Sequence, residues 1–220
     1  VKKYGKISAN IGDEGWFAPN IKSTEEALDL IQHTIDDLGY TKQIKLALDC
    51  AASEFYHKGY YLFEGYKINR EKLLHVYEQI VQHYPVVSIE DPFAEDDFLG
   101  FQEITSTLGK KRKIQIVGDD LLVTNPIRIQ MEVERKLCNT LLLKVNQIGT
   151  ITEALQTAAL AKKADWNIMV SHRSGETNDS FIADLAVALN CGQIKAGAPC
   201  RGERMAKYNR LLEIEEELKN

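Results

Sequence analysis

Six residues of this 220-residue chain stand where a short apolar run stops: Asp49, Glu90, Asp119, Lys144, His172 and Lys195. Three carboxylates offer hard oxygen ligands, the kind a magnesium ion takes while keeping water or substrate oxygens in its other positions. Lys144 is a candidate general base. That role requires it to shed its own proton, which a nearby cation such as Lys195 or a divalent metal favours. Arg173 and Ser174 beside His172 can hold a phosphate, the arginine through its fork and the serine through its hydroxyl. Taken singly, each acid is better explained as a loop cap, and Lys144 equally well as a lysine snorkelling to solvent. Their recurrence favours a site whose reaction class is metal-assisted removal of a proton next to a carboxylate.

The elements that must position these residues are short strands separated by helices. Ile44–Leu48, Val86–Ile89, Ile114–Val117, Leu141–Leu143, Ile168–Val170 and Gln193–Ile194 precede the six polar ends, which lie 23 to 41 residues apart. Such intervals suit strand–helix units. Ser23 with Glu26 and Thr150 with Glu153 form capping boxes, and Asn125 before Pro126 opens a third helix. Ile7–Ile11, closing on Gly12-Asp13-Glu14-Gly15, reads as a further strand, and Tyr60–Tyr66 as an aromatic excursion on the surface. Alternating strands and helices indicate a parallel sheet. One polar residue per strand end suits a barrel, whose active site gathers at the carboxyl ends, better than a doubly wound sheet with a single crevice. Seven strands leave that barrel short of closure.

Composition bounds the function. The chain is 44% hydrophobic and 27% charged with a net charge of −5, and its pI of 5.6 argues against broad nucleic-acid binding. The basic run Lys110–Lys113 reads as a solvated turn. No apolar run reaches bilayer length and the first residues lack a signal-peptide core, so no membrane role is expected. Cys50, Cys138, Cys191 and Cys200 show no metal-ligand spacing, which favours reduced thiols and a cytoplasmic protein.

The segments GDEG at Gly12, LDCAASEFY at Leu48, SIEDPFAEDD at Ser88, GDDLLVTNP at Gly118, LLLKVNQIGT at Leu141, MVSHRSGET at Met169 and GQIKAGAPCRGER at Gly192 closely resemble enolase, the glycolytic phosphopyruvate hydratase. The resemblance implies a TIM-type (β/α) barrel of the enolase superfamily, in which a lysine base works beside one or two magnesium ions. It further implies that Asp49, Glu90 and Asp119 hold Mg2+ and that Lys144 takes the C2 proton of 2-phosphoglycerate. Glu14 then acts on the departing C3 hydroxyl, Lys195 helps bind the substrate carboxylate, and His172, Arg173 and Ser174 line the substrate and phosphate site. The full-length form is expected to be a homodimer.

Residues 1–220 are expected to be part of the C-terminal catalytic barrel domain, incomplete at its N-terminal side. The family's N-terminal domain and the opening barrel segments, with a closing loop, a further histidine and a further acid, are not among them. Enolases carry GDEGG where this chain has Trp16 at the second glycine, a position where a left-handed backbone would strain tryptophan. Ala196 and Gly202 stand where threonine and serine are usual. The alternative function is a truncated enolase-like paralogue that keeps the fold and metal site but acts as a non-catalytic binding or structural protein.

Overall fold

A computed structural model describes residues 3–219; Val1, Lys2 and Asn220, at the ends of the expected 1–220 domain, lie outside the described residues. After a 3-10 turn at Lys6–Ala9, helix α1 (Thr24–Asp37) leads to strand β1 (Leu46–Asp49). A second 3-10 turn, Ala52–Phe55, precedes three short strands, β2 (Tyr56–His57), β3 (Tyr60–Phe63) and β4 (Tyr66–Ile68), then α2 (Arg70–His83) and β5 (Val86–Glu90). Helix α3 (Phe98–Ile104) continues through a π-helical segment, Thr105–Gly109, and the turn α4 (Lys110–Arg112) into β6 (Gln115–Gly118). The chain completes with α5 (Pro126–Arg135), β7 (Thr140–Leu143), α6 (Val145–Ile148), α7 (Ile151–Lys163), β8 (Asn167–Ser171), α8 (Phe181–Ala188), β9 (Ile194–Lys195) and α9 (Gly202–Lys219).

Local signals start the helices where expected. The Ser23 hydroxyl accepts the Glu26 N–H, Asn125 accepts those of Ile127 and Arg128, and Thr150 and Glu153 bond reciprocally. Each cap satisfies amides that the helix cannot. The helices return the chain so that six strands pair in parallel, in the order β1-β5-β6-β7-β8-β9. The result is a half-barrel, a partial α/β barrel with β1 and β9 at its two edges.

Side-chain alternation along each strand divides the apolar residues between two faces. Ile89, Ile116, Leu141, Leu143 and Val170 join the main core with Leu73, Phe101, Ile129 and Ala158 from the helices. Val117, Leu142 and Met169 form a separate small cluster. Their neighbours in sequence bury toward the helices, so these three occupy the concave face beneath the strand ends. Among the described residues no helix is long and apolar enough to cross a membrane.

Two expectations are corrected. Ile7–Ile11 is no strand: Gly5 has φ 79°, the Ser8 hydroxyl donates to the Gly5 carbonyl, and this local closure makes a 3-10 turn. Ile11 contributes only an isolated antiparallel bridge to Phe17, so the parallel sheet has six strands, not seven. The aromatic excursion is itself ordered as an antiparallel sheet, β2-β3-β4. Tyr61 anchors it, fully buried, with its hydroxyl donating to Asp97 at 2.7 Å.

Candidate active site

Parallel pairing sets the six polar ends side by side. Asp49 and Glu90 are register partners at the ends of β1 and β5, and Lys195 on β9 is the partner of Ser171. Curvature then does what sequence spacing cannot: Lys195 reaches across the concave face. Its Nζ donates to Asp49 at 2.9 Å and to both oxygens of Glu90 at 2.8 and 2.9 Å. Burial opposes the Lys195 charge, but Glu90 and Asp49 outweigh it and raise its pKa. Burial pushes the Glu90 carboxyl up to about 8, with the charges of Asp49 and Asp119 adding and that of Lys195 opposing.

Asp119 and Lys144 follow the ends of β6 and β7 and form an ion pair, Nζ to Oδ2. The other Asp119 oxygen accepts the Gln147 amide at 2.9 Å. Gln147 is oriented in turn by Thr124, whose hydroxyl donates to the Gln147 carbonyl oxygen at 3.0 Å and accepts the Lys144 backbone N–H at 2.9 Å. Val123 and Thr124 both have left-handed φ values, 41° and 54°. Two consecutive β-branched residues there store strain, of the sort that clusters at functional sites.

Asp91, which sequence reasoning passed over, braces the same loop. Its two oxygens accept the backbone N–H groups of Asp119 and Asp120 at 2.9 and 2.8 Å. Burial raises its carboxyl to about 7, with Asp119 and Asp120 adding to the effect and the two backbone bonds opposing it. Asp91, Asp119 and Asp120 also bring carboxylate oxygens within 4.8 Å of one another.

The rest of the cleft is built from both ends of the chain. The Glu14 backbone carbonyl accepts the Ala198 N–H at 2.9 Å, and its side chain accepts Ser174 Oγ at 2.8 Å and the Trp16 indole N–H at 3.4 Å. Gly15, at φ 87°, lies so near Cys200 that a Cβ would sit 2.7 Å from its carbonyl oxygen. The left-handed position is therefore Gly15. Trp16 is not among the left-handed residues; it is half exposed and packs over Gly12, and the expected strain does not arise. Burial acts to raise the Glu14 carboxyl, but Ser174, His172, Trp16 and Lys195 together hold it below its ordinary value.

His172 is buried, with Nε2 3.6 Å from Glu14 and Nδ1 2.7 Å from Arg204. Its pKa is lowered, first by burial and then by Arg204 and Lys195, with Glu14 and Glu176 opposing. Arg173 turns toward Asn146, donating at 3.1 Å. Arg204 is a second residue that sequence reasoning missed. Its guanidinium is wholly buried and spans two loops, so only the folded distance between them could reveal it.

These groups surround a cleft of about 400 Å³ lined by Glu14, Asp49, Lys144, Asn146, Ser171, His172, Arg173, Ser174, Gly175 and Lys195. Seven of the nine expected site residues therefore line one cleft. The other two, Glu90 and Asp119, reach it through the lysines they bind. Asp49, Glu90 and Asp119 offer the hard oxygen donors a divalent cation takes, while the three acids whose oxygens converge here are Asp91, Asp119 and Asp120. Asp49, Glu90 and Asp119 stand at the ends of three neighbouring strands, and the charges of Asp49 and Asp119 both act on the buried Glu90. Excess negative charge of this kind is what a hard cation neutralises.

Fold and site together define a partial α/β barrel with an acid–base cleft at the carboxyl ends of its strands. The family model for the enolase C-terminal TIM barrel domain matches residues 1–220, and the chain belongs to that family. It is similar to the enolase of Methanocaldococcus jannaschii, 57% identical over 218 residues that make up 99% of this chain and 51% of that protein. The enolase of Solanum lycopersicum is 53% identical over 226 residues (99% and 50%), and enolase 1 of Entamoeba histolytica 52% over 230 (99% and 52%). The chain spans about half the length of the curated relatives it matches.

Proposed function

We propose that this chain carries the catalytic barrel face of an enolase, which reversibly dehydrates 2-phosphoglycerate to phosphoenolpyruvate with magnesium. The observation that carries the reading is that one cleft holds both a candidate base and a candidate acid. Lys144 and Lys195, each engaged with carboxylates, share it with Glu14, Ser174 and His172. A 1,2-elimination needs both, because proton removal and departure of a poor leaving group call for a base and an acid.

In this reading a cation held at Asp119 would release Lys144 and favour its neutral amine, which takes the C2 proton. Lys195 faces the substrate carboxylate, where negative charge builds as the proton leaves. Asp49, Glu90 and Asp119 would hold magnesium, which when bound would supply positive charge to stabilise the negative charge that develops. Glu14 delivers a proton to the departing C3 hydroxyl, and His172, Arg173 and Ser174 hold the substrate and its phosphate. The lysines' ion pairs support the reading because both would be available once a cation and an anionic substrate replace their present partners.

The same reading makes the protein cytoplasmic, which its four free cysteines support, and a homodimer when joined to the half of its relatives it does not span. The test is a coupled absorbance assay of phosphoenolpyruvate formation by the chain joined to an enolase N-terminal half. Magnesium-dependent turnover that Lys144→Ala removes supports the proposal. A folded, magnesium-binding protein without turnover would leave the non-catalytic reading in its place.

A further inference from the structure

We propose that Arg204 is a positioning residue that holds His172 as the neutral imidazole protonated on Nε2, so that the ring turns an N–H toward Glu14. A guanidinium has donors and no acceptor. With Arg204 Nη1 2.7 Å from His172 Nδ1, that ring nitrogen must offer its lone pair. The ring proton is then on Nε2, which faces Glu14 Oε2 at 3.6 Å.

Arg204 is held firmly in this position. It is fully buried, and its remaining bonds go to backbone carbonyls: Arg173 at 2.7 Å and Ser174 at 2.6 Å on one loop, Asp13 at 3.0 Å on the other. Its stem runs so close to Gly197 that a Cβ there would lie 2.9 Å from its Cδ. One side chain thus ties the residue before Glu14 to the two residues after His172, and sets the ring between them.

The charged groups facing His172 are Glu14 and Glu176, which favour its protonation, and Arg204 and Lys195, which oppose it together with burial. The opposing set prevails. Glu14 therefore faces a ring dipole in place of a full positive charge, and it can gain and release a proton more readily than it could beside an imidazolium. The consequence for catalysis rests on the acid role proposed for Glu14, whereas the ring state does not. A readout on the ring consequently fails separately from the function.

The experiment is long-range 1H–15N correlation of the imidazoles in the uniformly labelled chain, with His172 assigned by its loss in His172→Gln. The other four histidines are exposed, so His172 should stand apart as the neutral Nε2–H tautomer at pH 7. Glu14→Gln should keep that tautomer and move charging of the ring to still lower pH. Arg204→Met should lose the fixed tautomer and move charging up by about one pH unit. An Nδ1–H ring or an imidazolium at pH 7, a tautomer change in Glu14→Gln, or an unaltered ring in folded Arg204→Met overturns the proposal. If Arg204→Met does not fold, the parent and Glu14→Gln spectra decide it.

Discussion

Lys195 lies between Asp49 and Glu90, its Nζ within 2.9 Å of both carboxylates. Two acids from adjacent strands thus share one cation supplied by the far edge of the same sheet. A divalent metal at these acids competes with that lysine directly.

Calorimetric titration with magnesium should accordingly show binding that Asp119→Ala removes. Lys195→Met should tighten binding by about tenfold, or ~1.4 kcal/mol, because the competing charge is gone. Indistinguishable heats for the parent and Asp119→Ala would refute the ligand assignment.

Much of this arrangement was legible in the sequence because strand ends are marked locally. An apolar run of four residues closed by a charge identifies itself, and the caps at Ser23, Asn125 and Thr150 fixed the helices between. Arg204 was not legible, since its partners Asp13 and His172 lie 191 and 32 residues away. Nor was Asp91, whose partners are backbone amides and leave no side-chain pattern. The misread strand at Ile7–Ile11 shows the converse limit. Alternation signals a strand only where a partner is present, and a single bridge to Phe17 is too little to hold one.

Lys144→Ala, made in the chain extended by an enolase N-terminal half, should abolish exchange of the substrate C2 proton with solvent, a loss of at least ~100-fold. Magnesium binding should survive, because Asp119 keeps its bond from Gln147. Exchange at the parent rate would mean that another group is the base.

Glu176 ties the loop after His172 to Lys207, a lysine with 1% of its side chain exposed, at 2.8 Å. Burial acts to raise the Glu176 carboxyl, but Lys207 and the Arg173 and Thr177 amides outweigh it and lower its pKa. A lowered pKa contributes stability that is present above the unfolded value and lost as pH falls through the folded one. Glu176→Gln should therefore destabilise by about 2 kcal/mol at pH 7. In urea unfolding followed by circular dichroism, that gap should close as the pH falls below 4.5, the ordinary value for glutamate. A gap independent of pH would place the effect in packing, not charge.

Turnover by the 220 residues alone should fall far below that of the extended chain. Both β1 and β9 are edges of the sheet, and an unpaired edge leaves backbone donors and acceptors to water. Water reaching the cleft weakens each charge interaction that would stabilise the intermediate. Trp16 offers a competing explanation for any loss, since its indole donates to Glu14. That bond is long and exposed, and Trp16 has no left-handed backbone to relieve, so Trp16→Gly should change turnover by less than about threefold. Expressing the chain alone and extended, each with and without Trp16→Gly, separates the two causes. Rescue by extension alone fits the open barrel, rescue by Trp16→Gly alone would put the fault in the Glu14 loop, and equal turnover by the unextended parent would refute the prediction.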